Sequence, residues 1–233
     1  MRGLLPLVFL AVIWGAVAQE REDLGGCGTP QPAPGRYGPY DYRHDKDKLP
    51  IVENAHFTPQ VEGLIKGITA PLGGDISYTL ERFPNHTRAL VSMMRLAERE
   101  KKSKPTGSGR TIDCYFERAV RFRPDDGMVR MIFATFLGKK GDRKGALEQL
   151  KVAEASGIAS PVFQYNLGLA YFEVGEFDKA LASAHRAYLG GFNLPGLKGK
   201  LTAAGKWREP APAAAPPSTS ETSRGSEEPA KPQ

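Results

Sequence analysis

The sequence predicts an all-α protein. It is expected to form a short solenoid of about three helix–turn–helix repeats, with a C-terminal capping helix and an irregular N-terminal arm. Three observations predict it. Phe133/Leu167, Leu137/Tyr171, Gly141/Gly175, Ala146/Ala180, Leu147/Leu181 and Ala153/Ala187 all stand 34 places apart in the chain, and a fixed period of that length marks stacked helix–turn–helix units. From Asp75 onward the apolar residues recur with the 3.6-residue period of helices. Pro and Gly fall at the ends of these stretches, where they break or turn the chain.

Residues 1–18 read as a secretory signal. Arg2 is the charged start, Leu4 to Val17 the apolar core and Ala16-Val17-Ala18 the small-residue cleavage site. An apolar run of about 14 residues is too short to span a hydrocarbon core of ~30 Å as a helix. No later segment is apolar enough, so the mature chain is expected to be exported, periplasmic or secreted, and not membrane-spanning. Residues 19–74 form a Pro/Gly/Tyr-rich arm. Its prolines fix φ and remove donors, while Tyr37, Tyr40 and Tyr42 are large enough to lie against the globular part. Leu49 to Lys66 is expected to hold a short helix, with Thr58 as N-cap and Pro59 at the first helical position. Pro71 to Gly74 should then break the chain.

The repeats occupy 75–207. Asp75 is expected to cap a short helix that reaches Arg82 and stops before Pro84. Residues 87–101 place Leu90, Met93, Met94 and Ala97 on one face, and 102–110 read as a flexible loop. Thr111 to Arg121 turn Tyr115, Phe116 and Ala119 inward and stop before Pro124. Helices at 127–139 and 143–156 are joined at Gly141, and helices at 161–174 and 177–189 at Gly175. After Pro195 a last helix carries Leu197, Leu201 and Ala204 inward and Lys198, Lys200 and Lys206 outward, closed by Trp207, as a terminal cap requires. Residues 208–233 are dominated by Pro, Ala, Ser, Thr and Glu with no large apolar side chain, a composition expected to stay disordered.

The net charge of +6 is uneven: −3 over 19–75, +10 over 76–208 and −2 over 209–233, with Arg2 supplying the remainder. The basic excess is densest from Arg95 to Arg130 and includes Arg95, Arg99, Lys101, Lys102, Arg121 and Arg123. Such a surface attracts anions in a salt-dependent way, although an exported protein has little access to nucleic acid. The two cysteines, Cys27 and Cys114, allow one disulfide in an oxidising compartment; unrelated thiols are the alternative. Leu24-Gly25-Gly26-Cys27 has lipobox character, but the charges of Glu20 to Asp23 separate it from the apolar run and argue against a lipid anchor at Cys27.

Leu167-Gly168-Leu169-Ala170-Tyr171 reproduces a Leu-Gly-x-x-Tyr first-helix pattern. Ala180 and Ala187 stand at small second-helix positions, and Gly175 at the turn between the helices. On these residues 161–192 resemble the tetratricopeptide repeat family. Residues 127–160 match through Ala134, Gly141, Ala146 and Ala153. Residues 87–124 match with a turn lengthened by about six residues, within the 34-residue scheme of the family. The departures are Gln164 where the family has Trp, and Ala184 and Leu150 where it has an aromatic. The arm from Tyr37 to Arg43 and from Pro50 to Phe57 looks like the lead-in of small secreted bacterial proteins carrying such repeats, which implies no chemistry.

The resemblance implies that first helices line a concave face. Here that face would comprise Met128, Met131, Ile132, Thr135, Val162, Tyr165, Asn166, Leu169 and Phe172. It is apolar with one amide, and Leu169 stands where a carboxylate-gripping member of the family has Asn. Such a groove suits a helical or extended peptide, so the sequence points to an exported scaffold for an unidentified protein partner. Alternatively the tyrosine-rich arm 36–57 fills the groove. A rival reading is a polyanion- or wall-associated protein using the basic surface at 95–130. No enzyme and no cofactor are expected. His44, His56, His86 and His185 lack ligand spacing, and His44 among Asp41, Asp45 and Asp47 reads as structural. Asp125-Asp126 reads as a helix cap, and Asn85-His86-Thr87 is a glycosylation sequon that a turn equally explains. Partner identity and oligomeric state are not encoded legibly.

Overall fold

The computed structural model describes residues 26–210, except 33, 34 and 36. The signal expected at 1–18, and the expected disordered tail from 211 onward, lie outside the described residues. Among those described, the fold is all-α: ten α-helices and no strand. They are α1 (Leu49–His56), α2 (Pro59–Glu62), α3 (Leu72–Arg82), α4 (Thr87–Glu100), α5 (Ile112–Phe122), α6 (Gly127–Lys139), α7 (Arg143–Ala155), α8 (Pro161–Glu173), α9 (Phe177–Leu189) and α10 (Gly196–Ala203). No helix among them is long and apolar enough to cross a membrane.

The period of the sequence is also a period of geometry. The ends of α6 and α8 keep the same 34-place offset, and so do those of α7 and α9. α6 with α7, and α8 with α9, each close as a hairpin on a short turn. Both turns place a glycine in the left-handed region, Gly141 at φ +83° and Gly175 at φ +78°, where a Cβ would be strained. The hairpins stop the same way, with Gly157 and Gly191 both at positive φ. Small residues set the helix spacing. A Cβ on Gly168 would lie 3.2 Å from the Ala180 carbonyl and 2.6 Å from Leu197. Ala146, Ala153, Ala180, Ala184 and Ala187 are fully buried. Leu150, Phe163, Leu167 and Tyr171 fill the remaining space in one continuous core.

The α4–α5 unit follows a different spacing. His86 caps α4 through Ala89 N–H, and Asp126 caps α6 through Met128 and Val129 N–H. These caps stand 40 places apart rather than 34, as the lengthened turn requires. That turn is not the flexible loop expected at 102–110. Gly109 N–H donates to Ser77 Oγ and Ile112 N–H to the Ser103 carbonyl, Glu100 accepts from the Thr106 amide and hydroxyl, and Pro105 and Ser108 are buried. The loop packs on α3, and this corrects a second expectation. Gly73 and Gly74 do not break the chain but lie in the first turn of α3, because a side chain on Gly73 would meet the Thr106 carbonyl at 2.4 Å. Nor does Asp75 cap α3. It accepts from Ile68 and Thr69 N–H and pairs with His56, so it fastens the preceding turn. The helix expected over 49–66 is divided into α1 and α2 at Phe57.

The arm is pinned to the array by three devices. Cys27 and Cys114 form a disulfide with Cα atoms 5.1 Å apart. Tyr37, Tyr40 and Tyr42 pack with Leu49, Val52 and Phe83 in a small second core. Buried Asp41 accepts from Arg43, Asn85 and Arg123. Asn85 bridges Asp41 at 2.7 Å to Asp126 at 2.9 Å, and accepts from Tyr42 N–H. Burial would raise the Asp41 pKa, but these donors outweigh it and hold the carboxyl well below its usual range. The amide and the Arg43 guanidinium, which pairs with Asp41 at 2.9 Å and Asp126 at 3.6 Å, together keep the two carboxylates from facing each other unscreened.

Candidate functional site

A groove of about 770 Å³ runs across the first helices of the three units. α4 contributes Arg88, Val91, Ser92, Met94 and Arg95; α6 contributes Met128, Met131, Ile132, Thr135 and Lys139; α8 contributes Asn166, Leu169, Ala170 and Glu173. The spacing is helical, i, i+3, i+4 and i+7, on each helix. Of the nine residues expected to line a concave face, Met128, Met131, Ile132, Thr135, Asn166 and Leu169 do so.

The other three do not line it, and the capping helix explains two. α10 packs on α8 and α9, covering the positions a further repeat would have left open. Tyr165 is buried there, its hydroxyl accepting from Leu197 N–H at 3.2 Å and its ring against Phe192 at 5.0 Å. Phe172 packs edge-on against Phe177 at 5.3 Å, under Lys200. Val162 is exposed in the first turn of α8, away from the groove.

The α4 wall escapes an extrapolation by 34 places but not one by 40. Subtracting the offset between the two helix caps from Met128, Met131, Ile132 and Thr135 gives Arg88, Val91, Ser92 and Arg95, all of which line the groove. The arm does not fill it. Tyr37, Tyr40 and Tyr42 lie against Phe83, which follows α3, and of the described residues before α3 only Glu62 reaches the rim.

The rim is charged where the floor is apolar. Arg88 pairs with Glu62 and Glu53, and the Glu62 hydrogen bond raises the Arg88 pKa. Lys139 pairs with Glu98 at 2.7 Å and Lys200 with Glu173 at 2.9 Å. Arg95 is exposed and has no ion pair or hydrogen-bond acceptor among the described residues. Its charge stays available to a ligand in the groove.

The remaining basic residues do not form one continuous patch. Arg123 donates to Asp41 and stacks on Phe122 at 4.2 Å. Arg121 pairs with Glu117, and Arg99 donates to the Leu64 carbonyl at 2.7 Å. Lys101 and Lys102 border a smaller hollow with Lys139 and Lys140, beside the groove, with which it shares Met94 and Lys139. No group of metal-ligating side chains occurs among the described residues, and His44 is exposed. Asn85 of the sequon is fully buried in the Asp41–Asp126 bridge.

No protein-family model, no curated protein and no solved structure matches this chain.

Proposed function

We propose that the protein is an exported, non-catalytic scaffold of tetratricopeptide-repeat type that holds a peptide segment of another protein in the groove formed by α4, α6 and α8. The observation that carries this reading is the open groove itself: an apolar floor of Val91, Met94, Met128, Met131, Ile132 and Leu169 beside Arg95, which is unpaired among the described residues. Three methionines in that floor adapt to a partner's shape at low cost, since the thioether is unbranched and polarisable. The matching segment is helical or extended, with two or more apolar residues and one carboxylate placed to meet Arg95. The hairpin geometry, repeated at the period of the sequence, supports the repeat assignment, and the Cys27–Cys114 disulfide supports an oxidising, exported compartment.

Selection of displayed random peptides on the full chain tests the reading. Enriched sequences should be apolar with an acid, Leu169→Asp should abolish their binding, and Arg95→Glu should remove the preference for acid. Peptides indifferent to both substitutions would place recognition elsewhere. A second reading is favoured by Lys101 and Lys102, which have no ion pair among the described residues and border a hollow of about 300 Å³ also lined by the Lys139–Glu98 and Lys140–Asp113 pairs; it holds a polyanion on this reading. Salt separates the two, because attraction through exposed lysines fades with ionic strength while apolar contact persists.

A further inference from the structure

We propose that the protein has a second binding site, for a small oxyanion of phosphate or sulfate type, in the cleft between the disulfide-anchored arm and helices α3 and α5. A cavity of about 200 Å³ opens there, walled by Thr29 and Gln31 of the arm and by Glu81, Arg82, Arg110 and Arg118 of the helical part. Three guanidinium groups face one carboxylate, so the formal charge of these side chains is +2.

The single carboxylate is already divided. Glu81 accepts from Arg110 Nε and from Arg118 Nη2, each at 2.9 Å. The Cys27 carbonyl accepts from Arg118 at 3.2 Å and from Arg110 at 3.4 Å, and Arg82 Nη1 donates to the Tyr37 carbonyl at 3.0 Å. Two buried donors remain without an acceptor among the described residues, Arg118 Nε and Arg82 Nε. The Arg118 side chain is only 8% exposed. A buried cation without a full counter-charge is costly. Burial pushes the Arg118 pKa down, and Glu81 opposes that against the repulsion of Arg110. An anion seated here would supply the missing charge and the missing acceptors together.

The size and donors define its class. Guanidinium forks match the paired oxygens of phosphate, sulfate or carboxylate, and the volume suits one compact group rather than a polymer strand. A divalent oxyanion balances the +2 of the wall. It is either a free ion or the head of a small ester, two sources of the same chemistry. The site is separate from the groove, because the two share no lining residue. It also depends on the disulfide, since Cys27 supplies the carbonyl that positions two of the arginines.

Isothermal titration of the full chain with sodium phosphate, sodium sulfate and a phosphomonoester, at constant ionic strength kept with sodium chloride, tests the site. Saturable binding of one equivalent is expected. Arg82→Gln should weaken it roughly tenfold or more, the loss of one charged hydrogen bond. Glu81→Gln should tighten it, whereas a purely structural cluster would give no anion effect in that variant. A preference for the ester over both inorganic ions identifies an esterified ligand, and equal binding a free ion. Heat no greater than chloride gives, or binding unchanged in both Arg82→Gln and Arg110→Gln, overturns the proposal. If Glu20→Gln/Glu22→Gln/Asp23→Asn binds phosphate and the natural chain does not, the cavity belongs to the chain's own acids, and an external oxyanion is equally overturned.

Discussion

Between Gly127 and Gly191 the chain is held by apolar contacts that recur with the period of the sequence; between Cys27 and Phe122 the apolar core continues through Ile76, Leu80, Leu90, Met93 and Phe116, and a disulfide, a buried polar bridge and a tyrosine cluster are added to it. The first region closes locally. Each helix meets its neighbour across a short turn, and alanines let the backbones approach. The second has helices as regular as those of the first, but they are joined to residues far away in sequence. Asp41 reaches Asn85 and Arg123, and Cys27 reaches Cys114. A repeat array thus provides its own cohesion, whereas an arm laid on its side needs specific fasteners. Because the arm is fastened to the flank, the concave face stays open.

Breaking the largest fastener should separate the regions most. The disulfide closes a loop of 87 residues, and chain entropy assigns such a loop about 4–5 kcal/mol. Cys27→Ser/Cys114→Ser should lose roughly that much. Hydrogen exchange should then show residues 26–122 opening before α6–α9. A uniform loss across both regions would erase the distinction. In the repeats the comparable change is apolar. Leu167 is fully buried, and Leu167→Ala should cost about 3 kcal/mol by cavity formation, measured by urea unfolding. That loss should fall on α6–α9 and leave the arm's exchange nearly unchanged.

Asn85→Ala should cost about 1–3 kcal/mol, since it leaves the buried carboxylates of Asp41 and Asp126 facing each other without the amide. Its signature is a raised Asp41 pKa, readable by NMR titration.

The smallest effects are those of pH, and only the acid-side loss is peculiar to one region. His86 is buried and its Nδ1 accepts from Ala89 N–H. Burial lowers its pKa from 6.5 despite the opposing Glu53 hydrogen bond. Its contribution is therefore complete above pH 6.5 and is lost as pH falls toward the depressed folded value. Asp41, also depressed, adds a loss as pH falls below 3.8. Tyr171, buried and donating to Glu154 at 2.7 Å, is raised from 10.0 by burial first and that bond second. Its contribution is complete below pH 10 and is lost above it. Tyr37 of the arm, also raised by burial, shares that alkaline loss. Urea unfolding at pH 5, 8 and 11 should show the acid-side loss confined to the arm region and the alkaline-side loss in both.

The same contrast decides what the sequence made legible. Helices from 127 to 189 were readable to within a residue because their signals are local: period, turn glycine, cap. The α6 residues of the groove followed from that period. The α4 wall was obscured by the six-residue insertion, although matching the two Pro-flanked caps at His86 and Asp126 would have recovered it. Tyr165 was misplaced because nothing in its own repeat reveals that α10 will cover it. The Asn85 bridge was invisible, for its partners Asp41 and Asp126 lie far off on either side in the chain. Asn85 could only be read as a turn residue or a sequon.

The claim that the concave face is the working surface is tested most directly by photo-crosslinking in the producing cell. A benzophenone side chain is placed at Thr135, in the groove, and in a second protein at Lys151, exposed on α7. The account predicts a discrete adduct from Thr135, lost when Leu169→Asp is added, and none from Lys151. An adduct from Lys151 alone, or one from Thr135 that survives Leu169→Asp, would contradict it.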